Sequence, residues 1–369
     1  MRKIDTVEEL QLVLEKTEIT QKTFQSLDLS ESEDLICKIK FSGCLFLNCV
    51  MSSRLKEYLS VDNYIFPALD VPFDVYPSRL YNRKSLYAAF DYHHPETYYL
   101  THDKIVYDYY RKIGNETRNI KETLARALHD HSIKDEMNEF LDQFEERKIV
   151  AVMGGHKLGR DEKVFIQLAQ LSKQLTEKGF LMITGGGPGA MEATHLGAWF
   201  AGKTNDELND AVRILSVAPL YDHPEWLSTA IHVMERYPET GYKSLGIPTW
   251  LYGHELSTPF ATHIAKFFEN SLREEGLLAV AKGGVIFAPG SAGTMQEIFQ
   301  DLAQNHYESY GYASPMIFLN QTYWTDDRPI YPLIQKMIEN GDLKNIDLSL
   351  YDENTDIIAH LEKFVAENQ

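Results

Sequence analysis

The nine residues Pro289-Gly290-Ser291-Ala292-Gly293-Thr294-Met295-Gln296-Glu297 decide how this chain is read. They follow an apolar run at 285–288 and lead into a helical pattern, so the local order is strand, glycine turn, helix. That order aims backbone N–H groups and the positive end of a helix at an anion. Gly185-Gly186-Gly187-Pro188-Gly189-Ala190-Met191, after the apolar run at 180–183, repeats the construction. Glu297 adds a carboxylate one helical turn past Thr294. A phosphate cradle with an acid beside it points to chemistry on a phosphorylated small molecule, a nucleotide first of all.

Outward from these turns, the sequence after residue 147 alternates strand and helix. Strands are expected at 148–153, 180–184, 211–218, 285–288 and 316–320, and helices at 162–177, 191–200, 295–306 and 330–339. A last strand and helix follow at 347–351 and 356–365. Runs nearly continuous in Val, Ile, Leu and Phe suit strands covered on both faces, as in a parallel sheet. The expected class is therefore α/β, a Rossmann-like doubly wound parallel sheet with an N-terminal α+β extension. The boundary is placed at 146, giving an aromatic-rich extension over 1–146 and a nucleotide-binding domain over 147–369. The stretch 221–284 is too long for a plain crossover and is read as a Pro- and aromatic-rich loop (238–259) followed by a helix at 260–279.

Gly154-Gly155-His156 ends the first strand of the domain, where a doubly wound sheet opens its ligand crevice. Lys157 and Arg160 could supply charge there, although a bare strand-to-loop turn is an equal reading. Neither the Gly-x-Gly-x-x-Gly dinucleotide fingerprint at this position nor the Lys-Ser/Thr ending of a P-loop is present. For Gly185–Gly189 the competing reading is tight strand–helix packing, and for Glu297 it is a carboxylate that merely favours the helix dipole. Thr294 is read at the helix start, capping the helix or binding a phosphate oxygen.

The 369 residues carry a formal charge of −18, which disfavours DNA, RNA and anionic membrane as partners. No apolar run is of membrane-spanning length and no signal peptide is read at the start, so a cytoplasmic location is expected. Cys37, Cys44 and Cys49 are an odd set without paired spacing, and are read as reduced thiols. No metal or cofactor site is read. His223, His232, His254 and His263, with Trp226 and Trp250, could line a base pocket, but scattered histidines are more often packing or surface residues.

In the extension, Ile36, Phe41, Phe46 and Met51 recur every five residues, with Ile39, Cys44 and Cys49 two residues before the last three. That period is reminiscent of pentapeptide-repeat coils. The run is short, and a β-hairpin turning at Ser42-Gly43 or Asn48 is the favoured expectation. Aromatic density over 62–110 suits packing against a domain or a subunit, and 104–144 reads as helical.

Thr184-Gly-Gly-Gly-Pro-Gly-Ala-Met-Glu192 and Pro289-Gly-Ser-Ala-Gly-Thr-Met-Gln-Glu297 resemble the two signature motifs of the LOG family, whose members were often labelled lysine decarboxylases. The segment Val150-Ala-Val-Met-Gly-Gly-His156 looks like the branch of pyrimidine/purine nucleotide 5′-monophosphate nucleosidases. The resemblance covers about 147–369. It implies a phosphoribohydrolase that cleaves nucleoside 5′-monophosphates to free base and ribose 5-phosphate; the alternative is a noncatalytic nucleotide-binding or sensing protein of the same fold. It further implies phosphate binding at Gly290, Gly293 and Thr294, catalysis by Glu297, and homo-oligomerisation. Arg273 stands for the family's helix arginine with a one-residue shift. Ser291 replaces the second glycine of the motif, offering a hydroxyl to the phosphate or marking a changed ligand. Together with Gly154, Gly155, Gly185, Gly186, Gly187, Gly189 and Met191, these residues form the candidate site.

Overall fold

The computed structural model describes residues 3–368, which form two compact units: 3–79 with 116–136, and 80–115 with 137–368. The second unit thus includes a segment from before residue 147. Strands and helices are numbered along the chain.

The first unit carries β1 (Lys3–Ile4), α1 (Val7–Leu14), β2 (Glu18–Thr20), β3 (Thr23–Gln25), α2 (Glu33–Ile36), β4 (Lys40–Ser42), β5 (Leu45–Leu47), α3 (Ser53–Leu59) and β6 (Tyr64–Phe66). All its strand pairs are parallel. Glu18 lies beside Lys40, Thr23 beside Leu45, and Leu45 beside Tyr64. The hairpin expected at 34–51 is therefore wrong. The five-residue period instead marks the corners of a parallel coil, and each strand finds its partner one coil, about 20 residues, away. Gly43 and Asn48 do sit at turns, both with positive φ. The inward residues stack along the coil: the Phe24 and Phe46 rings lie 4.8 Å apart and nearly parallel, with Phe41 packed against both. Ile36, Ile39 and Cys44 are buried with them, and Cys37 and Cys49 pack partly buried against this core. All three cysteines are free thiols. The hairpin reading failed because helices interrupt the coil, leaving too few consecutive repeats to outweigh a local pairing.

The second unit begins with α4 (Arg83–Tyr87) and α5 (His102–Ile113). Helix α6 (Ile120–Leu141) ends in it and leads to β7 (Ile149–Met153), α7 (Lys163–Glu177), β8 (Leu181–Thr184), α8 (Ala190–Trp199), α9 (Asn205–Leu215), α10 (Trp226–Arg236), β9 (Ser244–Gly246) and β10 (His263–Ile264). Then come α11 (Asn270–Val280), β11 (Gly284–Phe287), α12 (Ala292–His306), β12 (Met316–Leu319), α13 (Ile330–Glu339), β13 (Leu348–Tyr351) and α14 (Asn354–Glu367). Seven parallel strands form one sheet in the order β10-β9-β8-β7-β11-β12-β13. The winding goes outward from β7 through β8 to β10, then restarts at β11 on the other side of β7. Every residue of β7, β8, β11 and β12 is buried. The α/β class and doubly wound parallel sheet stand as read.

Two elements are corrected. The strand expected at 211–218 is largely the end of α9. Leu208, Ala211, Val212 and Leu215 are buried at helical spacing, and Thr204 and Glu207 close a reciprocal capping box at its start. That periodicity outweighs the β preference of Val212 and Ile214. The strand that pairs with β8 on the side away from β7 is β9, only three residues long. The helix expected at 260–279 is replaced by β10 and then α11. Phe260, Ala261, Ile264, Ala265, Phe267 and Phe268 are all buried, and short apolar pairs separated by Thr262, His263 and Lys266 do not distinguish helix from strand. Among the described residues, no helix is long and apolar enough to cross a membrane.

Candidate active site

A cavity of about 420 Å³ opens at the carboxyl ends of β7, β8 and β11, where the winding reverses. This is where open α/β sheets hold ligands: strands on either side of the switch send their loops apart and leave a crevice. Three turns build its floor and are hydrogen-bonded to one another. Gly155 N–H donates to Pro289 O at 2.9 Å, and Ala190 N–H to Gly155 O at 3.1 Å. Tyr323 O–H donates to Gly290 O, and the Trp324 indole N–H to Phe287 O and Leu319 O, so the segment after β12 pins the β11 turn from beneath.

Of the residues read from sequence, Gly154, Gly155, Gly185, Met191, Arg273, Ser291, Gly293, Thr294 and Glu297 line the cavity. Gly186, Gly187, Gly189 and Gly290 do not appear in its lining and shape it from behind. Gly189 has φ +69°, and a Cβ there would fall on Gly155 O and lie 2.8 Å from the His156 carbonyl carbon. Only glycine lets the α8 and β7 turns meet this closely. At Gly290 a Cβ would fall on Thr294 Oγ1 and lie 3.1 Å from Gly155 N.

Helix α12 begins at Ala292, not at 295, so Gly293 and Thr294 belong to its first turn. Helix geometry leaves the first N–H groups of that turn without intrahelical partners. Ala292, Gly293 and Thr294 line the cavity with them. Thr294 is the third helical residue rather than the cap. Its hydroxyl makes no hydrogen bond among the described residues, although the residue is buried. Ser291 takes the N-cap position with φ −111°, a value any residue adopts, and its side chain makes no capping bond. A glycine is thus not required at 291, and the exposed hydroxyl sits at the cavity wall.

Glu297 lies one turn further along α12, opposite Arg273. Burial pushes its carboxyl up to about 7; the Arg273 guanidinium pulls it down and neighbouring Glu274 pushes it up. Arg273, on the second turn of α11, lies directly over Gly185, and its Nε–H donates to Ile247 O at 3.0 Å. The one-residue shift in sequence therefore still places the guanidinium in the crevice, where it acts on Glu297 through space without a direct ion pair. Glu274 is itself held by Gln296 and Asn270, each donating at 2.7 Å.

Arg160 is not available to a ligand. It is fully buried, its Nε–H donating to Glu192 Oε2 at 2.8 Å and its second nitrogen to Oε1, with the guanidinium 4.6 Å from the Trp226 ring centroid. Glu192, the last residue of the first glycine motif, is thereby a structural anchor for α8. The sequence also concealed His195. This wholly buried ring lies 2.8 Å from Thr184 Oγ1 and 2.9 Å from Ser244 Oγ, bridging β8 to β9, and burial lowers it to about 3. Of the four histidines considered for a base pocket, only His254 approaches the cavity. His263 stacks on Phe140 and His232 sits against Tyr92. The lining residues that sequence reading did not single out are Tyr252, Glu255 and Glu274.

Residues 231–362 match a protein family described as possible lysine decarboxylase, which bears out the LOG resemblance read from the motifs. Among solved structures, the molybdenum cofactor binding protein from the phototrophic bacterium Rippkaea orientalis is similar over 59% of this chain and 96% of that one, at 16% identity and a TM-score of 0.38. The molybdenum cofactor carrier protein from Chlamydomonas reinhardtii is similar over 59% and 98%, at 14% identity and 0.36. No curated protein sequence matches the chain.

Proposed function

We propose, from the resemblance to the LOG family, that this chain hydrolyses the N-glycosidic bond of nucleoside 5′-monophosphates, releasing the free base and ribose 5-phosphate. The observation that carries the reading is the meeting of three parts in one crevice: the open first turn of α12, the Glu297 carboxylate and the Arg273 guanidinium.

The 5′-phosphate is placed on the N–H groups of Ala292, Gly293 and Thr294, with the Thr294 hydroxyl as a further donor. Anchored there, the ribose carbon that bears the base would lie beside Glu297, one turn along. Cleavage passes through an oxocarbenium-like state at that carbon. Ionised Glu297 stabilises the growing positive charge and takes the proton of the attacking water, which requires a carboxylate poised near neutrality. Arg273 favours the ionised form of Glu297 and offers N–H donors to substrate oxygens. The water oxygen becomes the sugar hydroxyl, and the base leaves with the electron pair of the broken C–N bond and a proton. As the protein acts on a soluble nucleotide, we place it in the cytoplasm, as a homo-oligomer.

Purified protein incubated with AMP, GMP, IMP, CMP and UMP is expected to release base. Glu297→Gln is expected to lower the rate about 10²- to 10⁴-fold while still binding nucleotide. Binding without any base release by the wild-type protein would favour the noncatalytic binding module instead. Undiminished release by Glu297→Gln would remove that residue from the mechanism.

A further inference from the structure

Three carboxylates line the cavity, and they differ in what they already hold. Glu274 is taken up by Gln296 and Asn270. Glu297 faces Arg273. Glu255 is the third. Its side chain is only 18% exposed, yet among the described residues its carboxylate accepts no hydrogen bond. The imidazole nitrogens of His156 and His254 stand at 3.7 Å, beyond hydrogen-bond reach. Its oxygens open onto the cavity with no donor from the described residues on them, so the acceptor is free for N–H groups that a ligand brings.

The surroundings say what kind of donor fits. Glu255 lies on the Gly187 side of the glycine turn, whereas Arg273 lies over Gly185 on the other side, with Met191 between them. Aromatic side chains share the cavity with the carboxylate: Tyr252 and His156 line it, and Tyr221 packs edge-on against His156. Aromatic faces beside a lone acceptor suit a planar heterocycle that presents N–H groups at its edge.

The backbone that follows Glu255 is also held in place. Lys266, buried, donates to Asp103 Oδ1 at 2.6 Å and to Ser257 Oγ at 3.0 Å, and stands 4.1 Å over the Trp250 ring. The Tyr87 hydroxyl donates to Ser257 O at 2.7 Å. Thr258 N–H donates to Gly186 O at 2.8 Å, tying the segment that carries Glu255 to the glycine turn itself. Such bracing is what a recognition residue needs, since a mobile acceptor discriminates poorly.

We infer that Glu255 is the base-specificity residue of this site, accepting paired N–H donors from the edge of a guanine-type base. The inference rests on the nucleoside monophosphate reading. Guanine presents a ring N–H next to an amino group, a match for the two oxygens of one carboxylate. Hypoxanthine keeps the ring N–H and lacks the amino group, while uracil sets carbonyl oxygens on both sides of its N–H.

Titration calorimetry with GMP, IMP, UMP and 2′-deoxy-GMP tests this on the full chain carrying Glu297→Gln, so that binding is read without turnover. With Glu255 in place the protein is expected to bind GMP about 10- to 100-fold more tightly than IMP, and deoxy-GMP as well as GMP. Adding Glu255→Gln is expected to bring GMP and IMP within about threefold of each other, with the melting temperature monitored alongside. Equal affinity for GMP and IMP with Glu255 in place overturns the inference and leaves the nucleotide reading standing. A penalty on deoxy-GMP rather than on IMP would assign Glu255 to the ribose and overturn it too. No binding of any of the four would overturn both readings.

Discussion

Arg273→Gln tests how the site sets its working pH. Burial raises the Glu297 carboxyl to about 7, and Arg273 opposes that rise. Removing the guanidinium leaves burial and Glu274 acting together, so the carboxyl moves further up. An opposite charge close to a carboxylate is worth about one to three units, and in a crevice open to water the lower end applies, roughly one unit. At about pH 6 the ionised fraction of Glu297 would drop from roughly one in ten to one in a hundred, while at about pH 9 it is high in both proteins. Base release measured as kcat/KM across this range, at constant ionic strength, should show the acid limb of Arg273→Gln displaced upward. The loss relative to wild type should be about tenfold greater at pH 6 than at pH 9. Glu274→Gln removes a like charge and should displace the limb the other way. An acid limb that stays in place or moves down in Arg273→Gln would refute the assignment of that limb to Glu297.

Two further outcomes are expected. Gly290→Ala puts a methyl group onto the Thr294 hydroxyl, so KM for the nucleotide should rise about tenfold or more with a smaller change in melting temperature; unchanged KM would take Thr294 out of phosphate binding. Asp301 is wholly buried on α12, with Gln304 donating to Oδ1 at 2.7 Å and no partner on Oδ2 among the described residues. Burial raises it to about 8, so the stability it contributes is complete below its unfolded value near pH 4 and is lost as pH rises through 8. Asp301→Asn should therefore stabilise the protein on the order of 2–5 kcal/mol at about pH 9 and far less near pH 4. Thermal unfolding at both pH values checks this, and an equal gain at the two would refute it.

Much of the site was legible because its parts are local in sequence. A strand, a glycine turn and a helix start within about ten residues of one another, and their backbone geometry follows from that order alone. Gly293, Thr294 and Glu297 were placed this way. Arg273 was reached only through the family resemblance, and its shift by one residue was resolved only by seeing the guanidinium over Gly185. Arg160 was misjudged because sequence shows a charge beside a glycine turn and not the Glu192 side chain buried against it. Glu255 had no signal, since it lies in a Pro- and aromatic-rich stretch and becomes a site residue only when Lys266, Asp103 and Ser257 brace that stretch.

By itself the sequence determined what local order and periodicity can carry: the fully buried strands of the sheet, the two glycine turns, and the helix that presents Glu297. Tertiary structure alone decided everything that depends on partners distant along the chain. It chose a parallel coil over a hairpin, because the strand that pairs with Leu45 is Thr23 and not a neighbour across a turn. It chose β9, three residues long, over the more strand-like run in α9, because helical spacing buried that run. It also divided the cavity's acids into roles, because the surroundings of a carboxylate, and not its identity, set whether it is neutralised, poised or waiting for a donor.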